Sequence, residues 1–144
     1  MIEFEESTIH GKILNVLSKL ALSNKPVGKA RIASCIASRG KIISFGVNQR
    51  KTHPMQAKYA KNPEAIYLHA EIAAIKNALK IIDLHELKKC TIYICRIKWV
   101  DERRNQQSYG LAKPCEGCIR AITEFEIPTL VWTTDNFDYS IKKL

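Results

Sequence analysis

The sequence predicts an α/β fold, a mixed sheet of about five strands between layers of helices. Three observations carry that reading. Apolar residues recur at helical spacing in three stretches, and runs of β-branched and apolar residues lie between them. The order helix, hairpin, helix, strand, helix, strand then calls for crossover connections, which are normally right-handed and join parallel strands. The 144 residues suit one domain over 1–144, and 46% hydrophobic with 26% charged residues describes a globular chain, not a disordered or fibrous one.

Ser7 and Thr8 are good N-caps, and Ile13, Leu14, Leu17, Leu20 and Ala21 share a face, so a first helix is expected over 8–23. Asn24, Pro26 and Gly28 end it. Residues 30–37 and 41–47 flank Ser38-Arg39-Gly40, a tight turn, and form the two strands of a hairpin. The polar stretch 48–67, with Pro54 and Pro63, is a long connection with a helical turn near 56–60. Ile72, Ala73, Ile75, Ala78, Leu79 and Ile82 line one side of a second helix over 69–82, and 90–95 is a central strand. A second polar connection, 98–113, carries Trp99, Arg103, Arg104 and Tyr109. Pro114 introduces a third helix over 115–125, with Cys118, Ile119 and Ile122 on one face. Residues 129–133 make a fourth strand, and the tail from Asp135 a marginal fifth.

The formal net charge is +9, unevenly spread: no acid lies between Glu6 and Glu64, a segment of charge +11, while the remainder sums to −2. Such a segment attracts phosphate, on a nucleotide or along a polynucleotide; a solvated basic face is the plainer alternative. No apolar run approaches the ~18 residues of a membrane span, and residues 1–6 are acidic where a secretory signal is basic. A soluble, cytoplasmic protein without a membrane partner is therefore expected. Five cysteines in a chain large enough to fold without staples read as reduced thiols, some of them metal-bound.

Two groups carry chemistry: His69-Ala70-Glu71 opening the second helix, and Pro114-Cys115-Glu116-Gly117-Cys118 opening the third. Cys115 and Cys118 present their sulfurs on one side of a first helical turn, where the helix N-terminus favours thiolates. With His69 they make a His/Cys/Cys set, which zinc accepts tetrahedrally with the fourth position left for water. Zinc lowers the pKa of that water toward ~7. Glu71 stands beside such an ion without ligating it, placed to take a proton from water and return it to a ring nitrogen and a leaving amine. The chemistry suits hydrolytic replacement of an exocyclic amine. Two other readings stay open at this point. One is a thiol–disulfide pair, in which His-Ala-Glu has no place; the other is a structural zinc site completed by Cys90, Cys95, His53 or His85. Otherwise Cys35, Cys90 and Cys95 read as small core residues, and His10 and His85 as surface or helix-end histidines.

In these residues and their order the chain resembles the zinc-dependent cytidine and deoxycytidylate deaminase superfamily. The first helix, the hairpin ending in Gly46-Val47-Asn48, His69-Ala-Glu71 and Pro114-Cys-x-x-Cys118 come in the family's order, and the last two are the known signature of zinc deaminases. The resemblance implies a three-layer α/β/α cytidine deaminase-like fold, one catalytic Zn2+ on His69, Cys115 and Cys118, and Glu71 as proton shuttle. It further implies that Asn48 hydrogen-bonds the substrate's sugar, that the Ala70 backbone N–H faces the reacting centre, and that Phe45 and Leu68 wall the base. A homo-oligomer is implied by analogy alone.

Outside the motif, Arg50, Lys51 and His53, in the loop after Asn48, are candidates to hold a substrate phosphate, an ordinary loop being the alternative. Trp99, Arg103, Arg104 and Tyr109 either grip flanking nucleotides or pack their own loop onto the domain. Histidine as the first ligand resembles deoxycytidylate, tRNA-adenosine, guanine and polynucleotide cytidine deaminases more than free-cytidine deaminases. Ile72-Ala-Ala-Ile75 is closer to the tRNA-adenosine and guanine branches, since deoxycytidylate deaminases usually carry an asparagine there; Lys113 stands where those two branches carry Glu. The expected function is conversion of cytosine to uracil in a nucleotide such as dCMP. The alternatives are the same chemistry on cytosine or adenine in single-stranded nucleic acid or tRNA, and a nucleic-acid-binding protein without turnover.

Overall fold

In a β-strand successive side chains point to opposite faces, so a central strand covered on both sides must be apolar at nearly every position. Arg31–Ser38 (β1) and Thr91–Trp99 (β3) have this character: Ala33 to Ala37 and Ile92 to Cys95 are buried without interruption. They are the middle of a six-stranded mixed sheet in a computed structural model that describes residues 3–24, 31–59, 67–100 and 106–144. The order along the sheet is β2-β1-β3-β5-β6, with β2 Lys41–Val47, β5 Thr129–Thr133 and β6 Tyr139–Lys143; β4, Gln107–Gly110, pairs with the far half of β3.

The hairpin turn has two left-handed residues, Arg39 at φ 52° and Gly40 at φ 79°, the twist-matching two-residue connection that strand pairs favour. A register shift between Ile36 and Ala37 marks a bulge in the hairpin. β1 is antiparallel to both β2 and β3, so β2 and β3 run in the same direction with β1 between them. β3 and β5 are parallel neighbours joined across a helix, as the crossover argument requires. The expected marginal fifth strand is β6, antiparallel to β5, and β4 adds a sixth inside what reads as a polar connection.

One helix covers one face. Thr8 caps α1 (Ile9–Ser23) by accepting from the Gly11 N–H at 3.1 Å, and Ile13, Leu14, Leu17 and Ala21 pack on Ala33, Cys35, Tyr93, Cys95 and Val131. Leu14 and Leu17 are fully buried, each stabilising the fold by about 1.5–3 kcal/mol relative to exposure. The other face carries α3 (Ala70–Ala78) and α5 (Glu116–Glu124), whose Ala74, Ile75, Ala78 and Ile122 meet Ile36, Ile92, Ile94, Leu130 and Trp132. The layers are therefore α/β/α. Two short helices complete this side, α2 (Pro54–Tyr59) in the first long connection and α4 (Leu84–Leu87), capped by Asp83, after α3. The expected second helix over 69–82 thus ends earlier, at Ala78. The start of the first strand at Ala30 and the breakers Pro26 and Gly28 lie outside the described residues, as does Pro63.

α3 lies very close to the hairpin. A Cβ on Gly46 would strike the Ala70 carbonyl and the Ala74 N–H, so only glycine at this position lets the start of α3 seat on β2. Ser44, two residues earlier on the same strand, donates to the Ala74 carbonyl at 2.8 Å and is buried against the helix. These contacts fix the height of the α3 N-terminus above the sheet.

Candidate active site and metal centre

Helix N-caps are usually Ser, Thr, Asp or Asn, whose side chains accept from the first turn. α3 and α5 depart from this in the same way. Their N-caps are His69 and Cys115, and neither side chain makes a capping bond. Both side chains are turned toward each other: His69 Nδ1 lies 3.3 Å from Cys118 Sγ and 3.6 Å from Cys115 Sγ. Cys118 sits in the first turn of α5, fully buried, so the donor atoms of all three residues fall within 4.8 Å of one another. No fourth protein ligand joins them among the described residues. Cys95 belongs to the core under α1 on the opposite face, Cys90 donates to the Glu86 carbonyl, and His53 Nδ1 accepts from the Met55 N–H at the start of α2. All five cysteines are free thiols.

The thiols share a proton unequally. A hydrogen bond from Cys118 pulls the Cys115 thiol down to about 3, helped by His69, while the same contact and burial push Cys118 up. His69 is raised chiefly by its hydrogen bond with Cys115. A thiolate at a helix N-terminus beside an imidazole and a second thiol is a set of soft and borderline metal donors. The set fits one Zn2+ by donor type and spacing.

Glu71, second residue of α3, is 5% exposed and its carboxyl is raised by burial, against the lowering effect of His69. It lines a cavity of about 340 Å³, within the roughly 300–1,000 Å³ typical of small-molecule sites. His69, Ala70 and Cys115 share this cavity, which is walled by Ile32, Leu68, Ile94 and Ala112 and opens past Tyr67 and Leu111. Asn48 also lines it; its Oδ1 accepts from the Ile32 N–H at 3.1 Å and from Asn24 at 3.0 Å.

Other expected contacts lie elsewhere. Phe45 pairs with Cys35 across the hairpin, and cross-strand partners share a face, so its exposed ring is on the α1 side, opposite the cavity. Phe45 is therefore not a wall of this cavity. Lys51 and His53 are outside its lining as well: Lys51 gives its carbonyl to the Leu68 N–H and leaves its side chain exposed, and His53 is occupied at the start of α2. Tyr109 is fully buried, stacked on Phe4 at 4.3 Å with its hydroxyl donating to Asn15 at 2.9 Å, so it packs its segment instead of meeting a nucleotide. Trp99 is exposed at the end of β3, and Arg103 and Arg104 lie outside the described residues. His10 is a helix-end histidine, in the first turn of α1, and its ring meets the Tyr93 hydroxyl at 2.8 Å.

The structure adds three residues that sequence reasoning passes over. Gln56 of α2, fully buried, accepts from the His69 N–H at 3.0 Å. Arg96 and Lys113 line the cavity. For Arg96 a signal existed: Ile92, Ile94 and Arg96 alternate onto one strand face, and a cation at a core-facing position calls for a reason.

No helix among the described residues is long and apolar enough to cross a membrane. No curated protein matches the chain in sequence. The cytidine and deoxycytidylate deaminase zinc-binding region, as a family profile, matches residues 7–134, which contain every element from α1 to β5 and the whole His/Cys/Cys cluster. The chain belongs to the cytidine and deoxycytidylate deaminase family, whose zinc-binding region it carries.

Proposed function

We propose that this single domain is a zinc-dependent hydrolytic deaminase that converts cytosine to uracil in a (deoxy)cytidine nucleotide such as dCMP. One observation carries the proposal: the buried Glu71 lines one cavity of small-molecule size together with His69 and Cys115, whose donor atoms cluster with that of Cys118. His69, Cys115 and Cys118 would hold the ion. When bound, zinc supplies the acidity that makes hydroxide available at neutral pH.

The remaining work belongs to the chain's own groups. Glu71 accepts one proton from water and delivers it to the ring nitrogen as the water oxygen bonds to the amine-bearing ring carbon. It then carries the second proton, from the new hydroxyl, to the amine as the C–N bond breaks, so that water and the cytosine nucleotide leave as ammonia and the uracil nucleotide. Its burial suits this exchange, because a carboxyl raised above its ordinary range holds a proton more readily than a free one and can pass it on. Ile32, Leu68, Ile94 and Ala112 offer an apolar slot for a planar base and exclude bulk water. Asn48 is oriented by its bonds to Ile32 and Asn24 and serves the sugar; Ala70 offers its N–H at the first position of α3.

Single-stranded nucleic acid or tRNA is the second reading, and the +11 segment favours it. Against it, that segment is not one surface, since Lys12 and Lys19 are exposed on α1, across the sheet from the cavity. Ammonia release by the zinc-loaded protein on dCMP, CMP, cytidine, adenosine, guanine, single-stranded DNA and tRNA decides between them: turnover of dCMP supports the proposal, and turnover of polymers alone supports the second reading.

A further inference from the structure

Arg96 is out of place for a core strand. It pairs with Ile32 on one side and Gly110 on the other, and Ile32 and Ile94, which line the cavity floor, share its face. Gly110 makes room for it: a Cβ there would come within 3.3 Å of the Arg96 Cδ. The side chain is half-buried, and its Nε is a wholly buried donor without a hydrogen-bond partner among the described residues. Guanidinium has five N–H donors in a planar fork and no acceptor, so a buried Nε–H without a partner is costly unless a ligand oxygen completes it.

The strand register says where that ligand sits: Arg96 faces Gly110, the residue before Leu111 at the cavity mouth, on the side where Asp135 lies. The Asp135 carboxylate is already held by Lys98 Nζ at 2.8 Å and the Leu111 N–H at 3.0 Å, and these two bonds lower it more than Arg96 does. Arg96 thus stands toward the Leu111 rim. Lys113, exposed and also on the cavity wall, adds a second cation.

We infer that Arg96, with Lys113, is the anion-recognising side of the cavity and selects a substrate that carries a phosphate. The inference rests on the deaminase reading only for the molecule to which the phosphate belongs. Paired N–H donors of an arginine match phosphate oxygens, and a lysine supports them as a point charge. The role expected of Lys51 and His53 passes to residues that line the site.

The test is calorimetric titration of the zinc-loaded protein with dCMP, deoxycytidine and a short cytosine-containing single-stranded DNA, repeated for Arg96→Gln and Lys113→Ala. The inference predicts that the unaltered protein binds dCMP at least tenfold more tightly than deoxycytidine. Arg96→Gln loses tenfold or more on dCMP and stays within twofold on deoxycytidine, and the exposed Lys113→Ala, which leaves the fold intact, loses severalfold on dCMP alone. Tighter binding of the DNA than of dCMP, lost in the same variants, assigns the phosphate to a polymer and supports the same site. Equal binding of dCMP and deoxycytidine by the unaltered protein overturns the inference, as does an undiminished preference for dCMP in both variants. Arg96-dependent preference without ammonia release from any substrate would overturn the deaminase reading and leave the phosphate site standing.

Discussion

The backbone N–H of His69 is held by the side-chain oxygen of Gln56 at 3.0 Å, which ties the short helix α2 to the first residue of the metal centre. The long connection between β2 and α3 is therefore part of the site's frame, and Arg120 fastens it again by donating to the Tyr59 carbonyl at 2.6 Å. Gln56→Ala leaves the His69 N–H without this acceptor and opens a hole beneath it. The expected result is a loss of about 1–3 kcal/mol in urea denaturation and roughly tenfold weaker zinc binding in a chelator competition. Unchanged zinc affinity would mean that His69 is positioned by α3 alone.

Gly46→Ala forces a methyl group against the Ala70 carbonyl and the Ala74 N–H, both backbone atoms that cannot rotate away. Overpacking of this kind costs about 1–3 kcal/mol. Because the displaced element carries His69, Ala70 and Glu71, deaminase activity should fall further than stability does, measured as kcat at a temperature where the variant is fully folded. A variant as active as the original would show that α3 need not sit at its observed height.

Zinc uptake should depend on pH with a definite sign. In the metal-free protein the Cys115 thiol, pulled to about 3, is already a thiolate, while Cys118 is pushed up and keeps its proton. Binding requires both thiolates, so the Cys118 proton must leave, and affinity rises with pH by about tenfold per unit for one released proton. His69, raised by Cys115, adds a second proton where it is still charged. Calorimetry of zinc binding in buffers of different ionisation enthalpy counts these protons, and a count of zero would contradict the pairing of Cys115 with Cys118 at the start of α5.

Much of the architecture was legible because it rests on periodicity and caps. Leu14, Leu17 and Ala21 mark α1, Thr8 its start, and the Arg39-Gly40 turn the hairpin, each through a local rule that tertiary packing leaves intact. β4 was hidden because Gln107, Ser108 and Gly110 carry no strand pattern; the edge of β3 beyond β5 orders them, and Tyr109 anchors them in the α1 core. The metal donors were legible as a motif, since two helix starts each advertise their ligands in sequence. Phe45 was misplaced for a geometric reason, because one residue of shift in a strand moves a side chain to the opposite face. Gln56 left no trace in sequence: its role is a bond to a backbone N–H thirteen residues away, and only the fold brings the two together.

Ammonia release from dCMP by the zinc-loaded protein beside its Glu71→Ala variant, with bound zinc measured in both, shows whether Glu71 carries the proton. Glu71 is placed in the cavity wall without belonging to the donor cluster, so its loss should leave zinc content unchanged. The expected result is release of ammonia with formation of dUMP by the unaltered protein, and a fall of about 10²- to 10⁴-fold in the variant. Equal rates in the two proteins, or no release by the zinc-bound original, would contradict the proposed reaction.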